Sequence, residues 1–254
     1  MHTDMYKALF TLLGILSILV GCATDQSSNI TPQPGQGGSM ARFAITGDAL
    51  YIVDHQSLIY YDITNPADPT KKGQKSLDMG IETIFPYQDN LFVGASDGMY
   101  IFENKNPLSP QLLSRFRHVL ACDPVVAQDN YAYVTLRSGT ECRNGINSSS
   151  LDVVDISDLT SPKLVSSTAL SSPYGLGVSG KTLFVCEGDN GLRIFNLEDP
   201  SNPVLKTFHK EIPAYDVIVR NSESLIVTGK KGLYQFSFGE AESDFNQLSL
   251  IPVN

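Results

Sequence analysis

Thr182-Leu183-Phe184-Val185-Cys186 is a short apolar stretch whose core recurs along the chain. Leu50-Tyr51-Ile52, Leu91-Phe92-Val93, Ala132-Tyr133-Val134, Leu183-Phe184-Val185 and Leu225-Ile226-Val227 have centres 41, 41, 51 and 42 residues apart. A second series, Leu58, Met99, Leu151, Leu192 and Leu233, steps by 41, 52, 41 and 41. A fixed period of this length signals a repeat architecture and takes precedence over any local motif. Both series jump by about ten residues at one interval, which places a single insertion between the two anchors of the third unit.

Working outward, four units share a turn with two spaced polar or proline positions: Asn65 to Pro69, Asn106 to Pro110, Asp158 to Pro162 and Asp199 to Pro203. Proline removes a ladder donor and fixes its own backbone angle, so each such turn ends one strand and starts another. Unit four divides into strand candidates at 174–178, 182–186, 192–196 and 204–208, and no segment after Ser39 has a helical period. A four-stranded meander cannot bury both faces alone, whereas several such sheets around one axis can. The expectation is therefore all-β: a five-bladed β-propeller of four-stranded antiparallel blades, with repeats near 40–77, 78–118, 119–170, 171–210 and 211–254. A β-sandwich would not need a strict repeat, and a β-solenoid would usually have a shorter one.

The strings Leu50-Tyr51-Ile52-Val53-Asp54, Leu151 to Ser157 and Gly191 to Asn196 resemble the LVIVD-repeat family of bacterial extracytoplasmic β-propellers. The resemblance implies the fold over nearly all of 40–238 and a lipoprotein or surface setting, but no activity. The chain departs from the pattern in its fifth unit, where Gln235-Phe236-Ser237-Phe238 replaces the usual Asp-Ile-Ser-Asn turn.

Ahead of the repeats, an apolar run of 13 residues from Ala8 to Val20 leads into Gly21-Cys22. It is too short for a bilayer span, which needs about 20 helical residues, and suits a signal peptide over 1–21. A small residue followed by cysteine is the lipobox pattern, so Cys22 is expected to be acylated and to hold the protein on a membrane. Ala23 after Cys22, rather than Asp, favours the outer membrane under the enterobacterial sorting rule. Residues 22–39, polar and rich in Gly, Pro and Ser, read as the acylated cysteine and a flexible tether. The net charge of −9, with no basic run, excludes nucleic-acid binding.

Strand alternation puts the loop entering each first strand and the loop joining the second to the third at one end of the ring. That face collects His55, Asp97, Asp123, Tyr174, Glu187, Asp189 and Tyr215, with Met79, Lys230 and Lys231 beside them. It also receives the third-unit insertion, with Arg137 and Arg143. Binding residues concentrate on such loops, and this set is the candidate binding face. Cys122 and Cys142 fall at the same end of the third unit, and a disulfide between them would close about 20 residues and stabilise by roughly 3 kcal/mol. Cys186, at a strand end, reads as a buried free thiol.

No nucleophile elbow, phosphate loop, zinc-protease motif or Cys-x-x-Cys pair is present in the sequence. Asp54, Asp97, Asp123, Glu187 and Asp189 could gather calcium, although acidic turns are expected on an acidic protein. The reading reached is a monomeric, membrane-anchored lipoprotein whose propeller binds another protein or an extracellular ligand, with neither cofactor nor resident metal. A second reading is a hydrolase or lyase at the funnel mouth, with His55, Asp123 or Glu187 as acid-base groups.

Overall fold

In the computed structural model, residues 38–78, 80–117, 124–138 and 148–253 are described. Central strands of the three middle blades are apolar on both sides because those blades are covered on both sides. Leu91 to Ala95 in the second unit are all buried, a run expected of doubly covered strands rather than of half-solvated ones. Five four-stranded antiparallel sheets result, each built from consecutive strands.

Blade 1 comprises β1 (Phe43–Thr46), β2 (Ala49–Val53), β3 (Ser57–Asp62) and β4 (Thr70–Ser76). Blade 2 comprises β5 (Ile81–Tyr87), β6 (Asn90–Ala95), β7 (Gly98–Glu103) and β8 (Gln111–Arg117). Blade 3 comprises β9 (Val125–Gln128), β10 (Tyr131–Leu136), β11 (Ser149–Asp155) and β12 (Lys163–Leu170). Blade 4 comprises β13 (Leu176–Ser179), β14 (Thr182–Cys186), β15 (Leu192–Asn196) and β16 (Val204–His209). Blade 5 comprises β17 (Asp216–Asn221), β18 (Ser224–Gly229), β19 (Gly232–Ser237) and β20 (Asn246–Pro252). The first strands lie innermost: β1 packs on β5, β5 on β9, β9 on β13 and β13 on β17. This is the five-bladed β-propeller expected from the period.

The repeat is visible at the level of single bonds. A left-handed residue recurs between the first two strands at Gly47, Gln88, Asp129 and Gly180. The third and fourth strands slip register by one residue at the same place in all five blades. After the third strand, a carboxylate or amide oxygen accepts the N–H two residues on, as Asp62 does from Thr64, Asp155 from Ser157 and Asn196 from Glu198. A second such turn follows at Asn65, Asn106, Asp158 and Asp199. Blade 5 lacks both turns and uses a short 3-10 turn at Glu242–Asp244, whose Asp244 carboxylate accepts the Ala241 N–H at 3.0 Å. It nonetheless keeps its fourth strand.

Hydroxyls stitch blades 1, 2 and 3 to the next one's turn. Tyr51 donates to Asn104 Oδ1 at 2.7 Å, Ser114 to the Leu159 carbonyl at 2.6 Å, and Ser166 to the Ser201 carbonyl at 2.6 Å. Between these stitches lie the cores. Tyr51, Leu58, Leu91 and Phe102 fill the seam of blades 1 and 2, and Phe92, Met99, Ala132 and Val154 that of blades 2 and 3. Tyr133, Leu151, Leu183 and Phe195 fill the seam of blades 3 and 4, and Phe184, Leu192, Leu225 and Phe236 that of blades 4 and 5.

The fifth seam differs. Among the described residues no buried cluster joins blade 5 to blade 1. Leu50, Ile52 and Tyr61, on the side of blade 1 turned away from blade 2, are only half-buried, although Leu91, Val93 and Phe102 at the matching positions are fully buried. Phe43 on that side is 61% exposed. On the outward side of blade 5, Ile226 and Gln235 are half-buried and Leu233 is exposed.

Gly38 and Ser39, the last residues of the expected tether, are buried. The Ser39 hydroxyl accepts the Leu176 N–H at 2.7 Å and donates to Asp216 Oδ1 at 3.3 Å. The Ala41 carbonyl accepts the Ile84 N–H at 2.9 Å. This leader crosses the mouth of a central channel lined by Phe85, Val126, Leu176, Val178, Val217 and Val219.

Burial raises the Asp216 carboxyl from 3.8 to about 6, against hydrogen bonds from the Val217 N–H, the Ser39 hydroxyl and the Met40 N–H. The folded state therefore holds this proton more tightly than the unfolded one. Its contribution is complete below about pH 4 and is lost as pH rises through about 6. A rise of this size corresponds to about 3 kcal/mol, and about 2 kcal/mol after allowing for the water that still reaches the group. Asp216→Asn, which keeps an acceptor, is expected to stabilise the protein by about that amount at pH 8 and to change nothing at pH 4. Urea denaturation at both pH values checks this. Equal effects at the two would refute it.

Candidate functional site

At the end of the ring where first strands begin, side chains from three blades meet in one chain of contacts. Tyr174 precedes β13, its backbone held by the Cys186 carbonyl at 2.7 Å and by the Thr135 hydroxyl of blade 3, which donates to the Tyr174 carbonyl at 2.7 Å. The Arg137 guanidinium, just past β10, lies 3.9 Å from the Tyr174 ring centroid. Tyr215, preceding β17, meets the same ring edge-on, with centroids 5.2 Å apart at 89°.

The Tyr215 hydroxyl donates to Asp189 Oδ1 at 2.9 Å, and Lys230 Nζ stands 3.4 Å from Asp189 Oδ2. Asp189 is held below the usual carboxylate range, first by the Tyr215 hydroxyl and then by Lys230. The same bond raises Tyr215. Asp189 is placed by the turn between β14 and β15, which pairs across to blade 5 through reciprocal Gly188 and Ala214 backbone bonds of 2.7 and 2.9 Å. Gly188 adopts φ 60°, and a Cβ there would strike the Tyr174 ring. Rigid aromatic rings flanked by an arginine and exposed charges form a surface suited to recognition.

The remaining residues expected on this face lie apart from that chain of contacts. Glu187 is turned inward: its side chain is fully buried, one oxygen accepting the Ser171 N–H at 2.7 Å and the other paired with Arg193 Nε at 2.7 Å. Asp97 pairs with Arg115 of the outer strand of blade 2, which also bonds Asp78 and stacks 4.7 Å from the Tyr100 centroid. His55 and Gln56 line a shallow groove with Asp54, Ser57, Gln74 and Leu77. The His55 carbonyl receives the Gly80 and Ile81 N–H groups, and Asp54 Oδ1 the Gln56 N–H at 2.8 Å.

Asp123, Arg143, Met79, Cys22, Cys122 and Cys142 lie outside the described residues. Cys186 is a buried free thiol, and burial pushes its ionisation well up. Among the described residues no three His, Cys, Asp or Glu side chains are gathered as a metal ion would need. Sequence reading missed Arg115, Arg193 and the Ser39–Asp216 bond. Basic residues on the third or fourth strand of a blade, near a turn carboxylate, were the available signal for the first two.

Fold and site together define a repeat-built β-propeller with a cluster of aromatic and charged side chains at one end. Residues 37–75, 145–169 and 174–209 match the LVIVD repeat model. The matched stretches fall in blades 1, 3 and 4, which carry both Asp or Asn turns after the third strand. No curated protein sequence matches the chain. Among solved structures, a protein from Lactobacillus plantarum superposes with TM-score 0.60 at 12% identity, over 80% of this chain and 67% of that one. Apo AztD from Citrobacter koseri gives 0.59 at 15% identity, over 83% and 62%. The computationally designed Ika8 protein gives 0.56 at 11% identity, over 77% and 57%. These likenesses concern the fold alone, and the chain spans only about 57% to 62% of the length of the latter two.

Proposed function

We propose that the protein is a lipoprotein held at the outer membrane by acylated Cys22, and that its propeller is a monomeric, non-catalytic module that captures another protein or an extracellular ligand. The observation carrying the binding role is the contact chain of Arg137, Tyr174, Tyr215, Asp189 and Lys230 across blades 3 to 5. Tyrosine and arginine on a rigid frame dominate the energetics of protein recognition surfaces. The anchor rests on the apolar run ending in Gly21-Cys22. Tethering also raises the local concentration of whatever the face meets at the membrane.

Crosslinking pull-down from intact cells tests the binding role. Tyr174→Ala and Tyr215→Ala are expected to lower recovery of the wild-type partner at least about tenfold, a loss of about 1.4 kcal/mol. Unchanged recovery would shift the site elsewhere. Turnover of ester, lactone or glycan substrates that His55→Ala abolishes would replace the binding reading with an enzyme. The anchor is tested by incorporation of a palmitate analogue, which Cys22→Ser is expected to eliminate.

A further inference from the structure

We infer that residues 38–41 are a clasp that holds the propeller shut at its one coreless seam, and that the ring opens there first. Four seams are closed by fully buried apolar side chains from both blades. At the fifth, apolar residues of the same repeat positions stay half-buried or, at Leu233, exposed, and the third-strand position that is Tyr60, Ile101, Val153 and Ile194 in the other blades is Gln235. Burial of apolar area supplies most of the stability of a seam, so this one is the weakest.

The leader supplies what the seam lacks. Covalently it continues into β1, while Ser39 bonds Leu176 of blade 4 and Asp216 of blade 5, and Ala41 bonds Ile84 of blade 2. Four of the five blades therefore meet in a few residues. The carboxylate of Asp216 sits against Gly38 and Gly175, and a Cβ on either glycine would strike it. Thr228 reinforces the same strand by donating to the Asp216 carbonyl at 3.4 Å. The neighbouring titratable side chain is the buried Cys186 thiol, and no cation partners the carboxylate among the described residues. The contact is thus a slot shaped for two glycines and a serine.

The test is peptide-resolved hydrogen exchange on the full chain, comparing Ser39→Ala with Gly38→Val, which leaves every bonding group in place but wedges the slot. Ser166→Ala, which removes one hydroxyl stitch between blades 3 and 4, is the control. Both clasp variants are expected to speed exchange in 43–53 and 216–237 about tenfold while leaving β9 to β12, β14 and β15 unchanged. A second readout is mass-spectrometric thiol labelling of Ile226→Cys, in the wall of the seam. Ser39→Ala should speed labelling there about tenfold and leave Cys186, within the packed seam of blades 4 and 5, unlabelled. Exchange that rises evenly through all five blades, or seam labelling that does not respond, would overturn the inference.

Discussion

Leu183→Ala is expected to destabilise the propeller by about 2–5 kcal/mol, whereas Leu50→Ala, the same substitution at the same repeat position, is expected to cost about 1–2 kcal/mol. Leu183 is fully buried among Tyr133, Val153 and Phe195 in the seam of blades 3 and 4, so truncation leaves a cavity that two rigid sheets cannot collapse around. Leu50 faces the fifth seam and is already half in water. Its removal forfeits less transfer energy, and solvent fills the space. Urea denaturation of both variants, with Leu91→Ala as a further fully buried counterpart, measures the contrast. Equal losses at Leu50 and Leu183 would mean that the fifth seam is as well packed as the others.

Glu187→Ala is expected to cost about 3 kcal/mol, more than a surface ion pair is worth, because it strands Arg193 and the Ser171 N–H together. The carboxylate is fully buried and both its oxygens are used, while the Arg193 guanidinium also stacks 4.2 Å from the Phe208 centroid. Glu187 thereby ties the β14–β15 turn to the outer half of blade 4 and positions Asp189 next to Tyr215. A double change with Arg193→Ala should cost less than the sum of the two single changes, as thermal unfolding of the three variants would register. Additive losses would show that the pair is not coupled.

Much of the architecture was legible because the period of the apolar triplets is also the period of the blades. The strands of blade 4 fall within two residues of those read from the sequence, since Gly180, Asp189 and Pro200 to Pro203 mark each reversal. The fifth seam was not legible. Leu50 and Ile52 carry the same pattern as Leu91 and Val93, and whether such a face is covered depends on how far five blades reach around the axis, which no local pattern encodes. Ser39 was read as tether because its neighbours are glycines, yet those glycines are what allow the close approach to Asp216. Glu187 read as a surface residue from its place in a turn, but the register of β14 with β15 brings Arg193 opposite Val185 and draws the carboxylate inward. For the candidate face, strand alternation placed Tyr174, Asp189 and Tyr215 at one end; their mutual contacts depend on Gly188 folding one blade's turn onto its neighbour.

The position of the leader has a mechanical consequence. Any pull on the chain preceding Gly38 is borne first by the Ser39 bonds to Leu176 and Asp216, before it reaches β1 and its hairpin with β2. Load applied at the amino-terminal end is thus delivered to blades 4 and 5, so tension along the backbone is felt by the strands that hold Tyr174, Asp189, Tyr215 and Lys230.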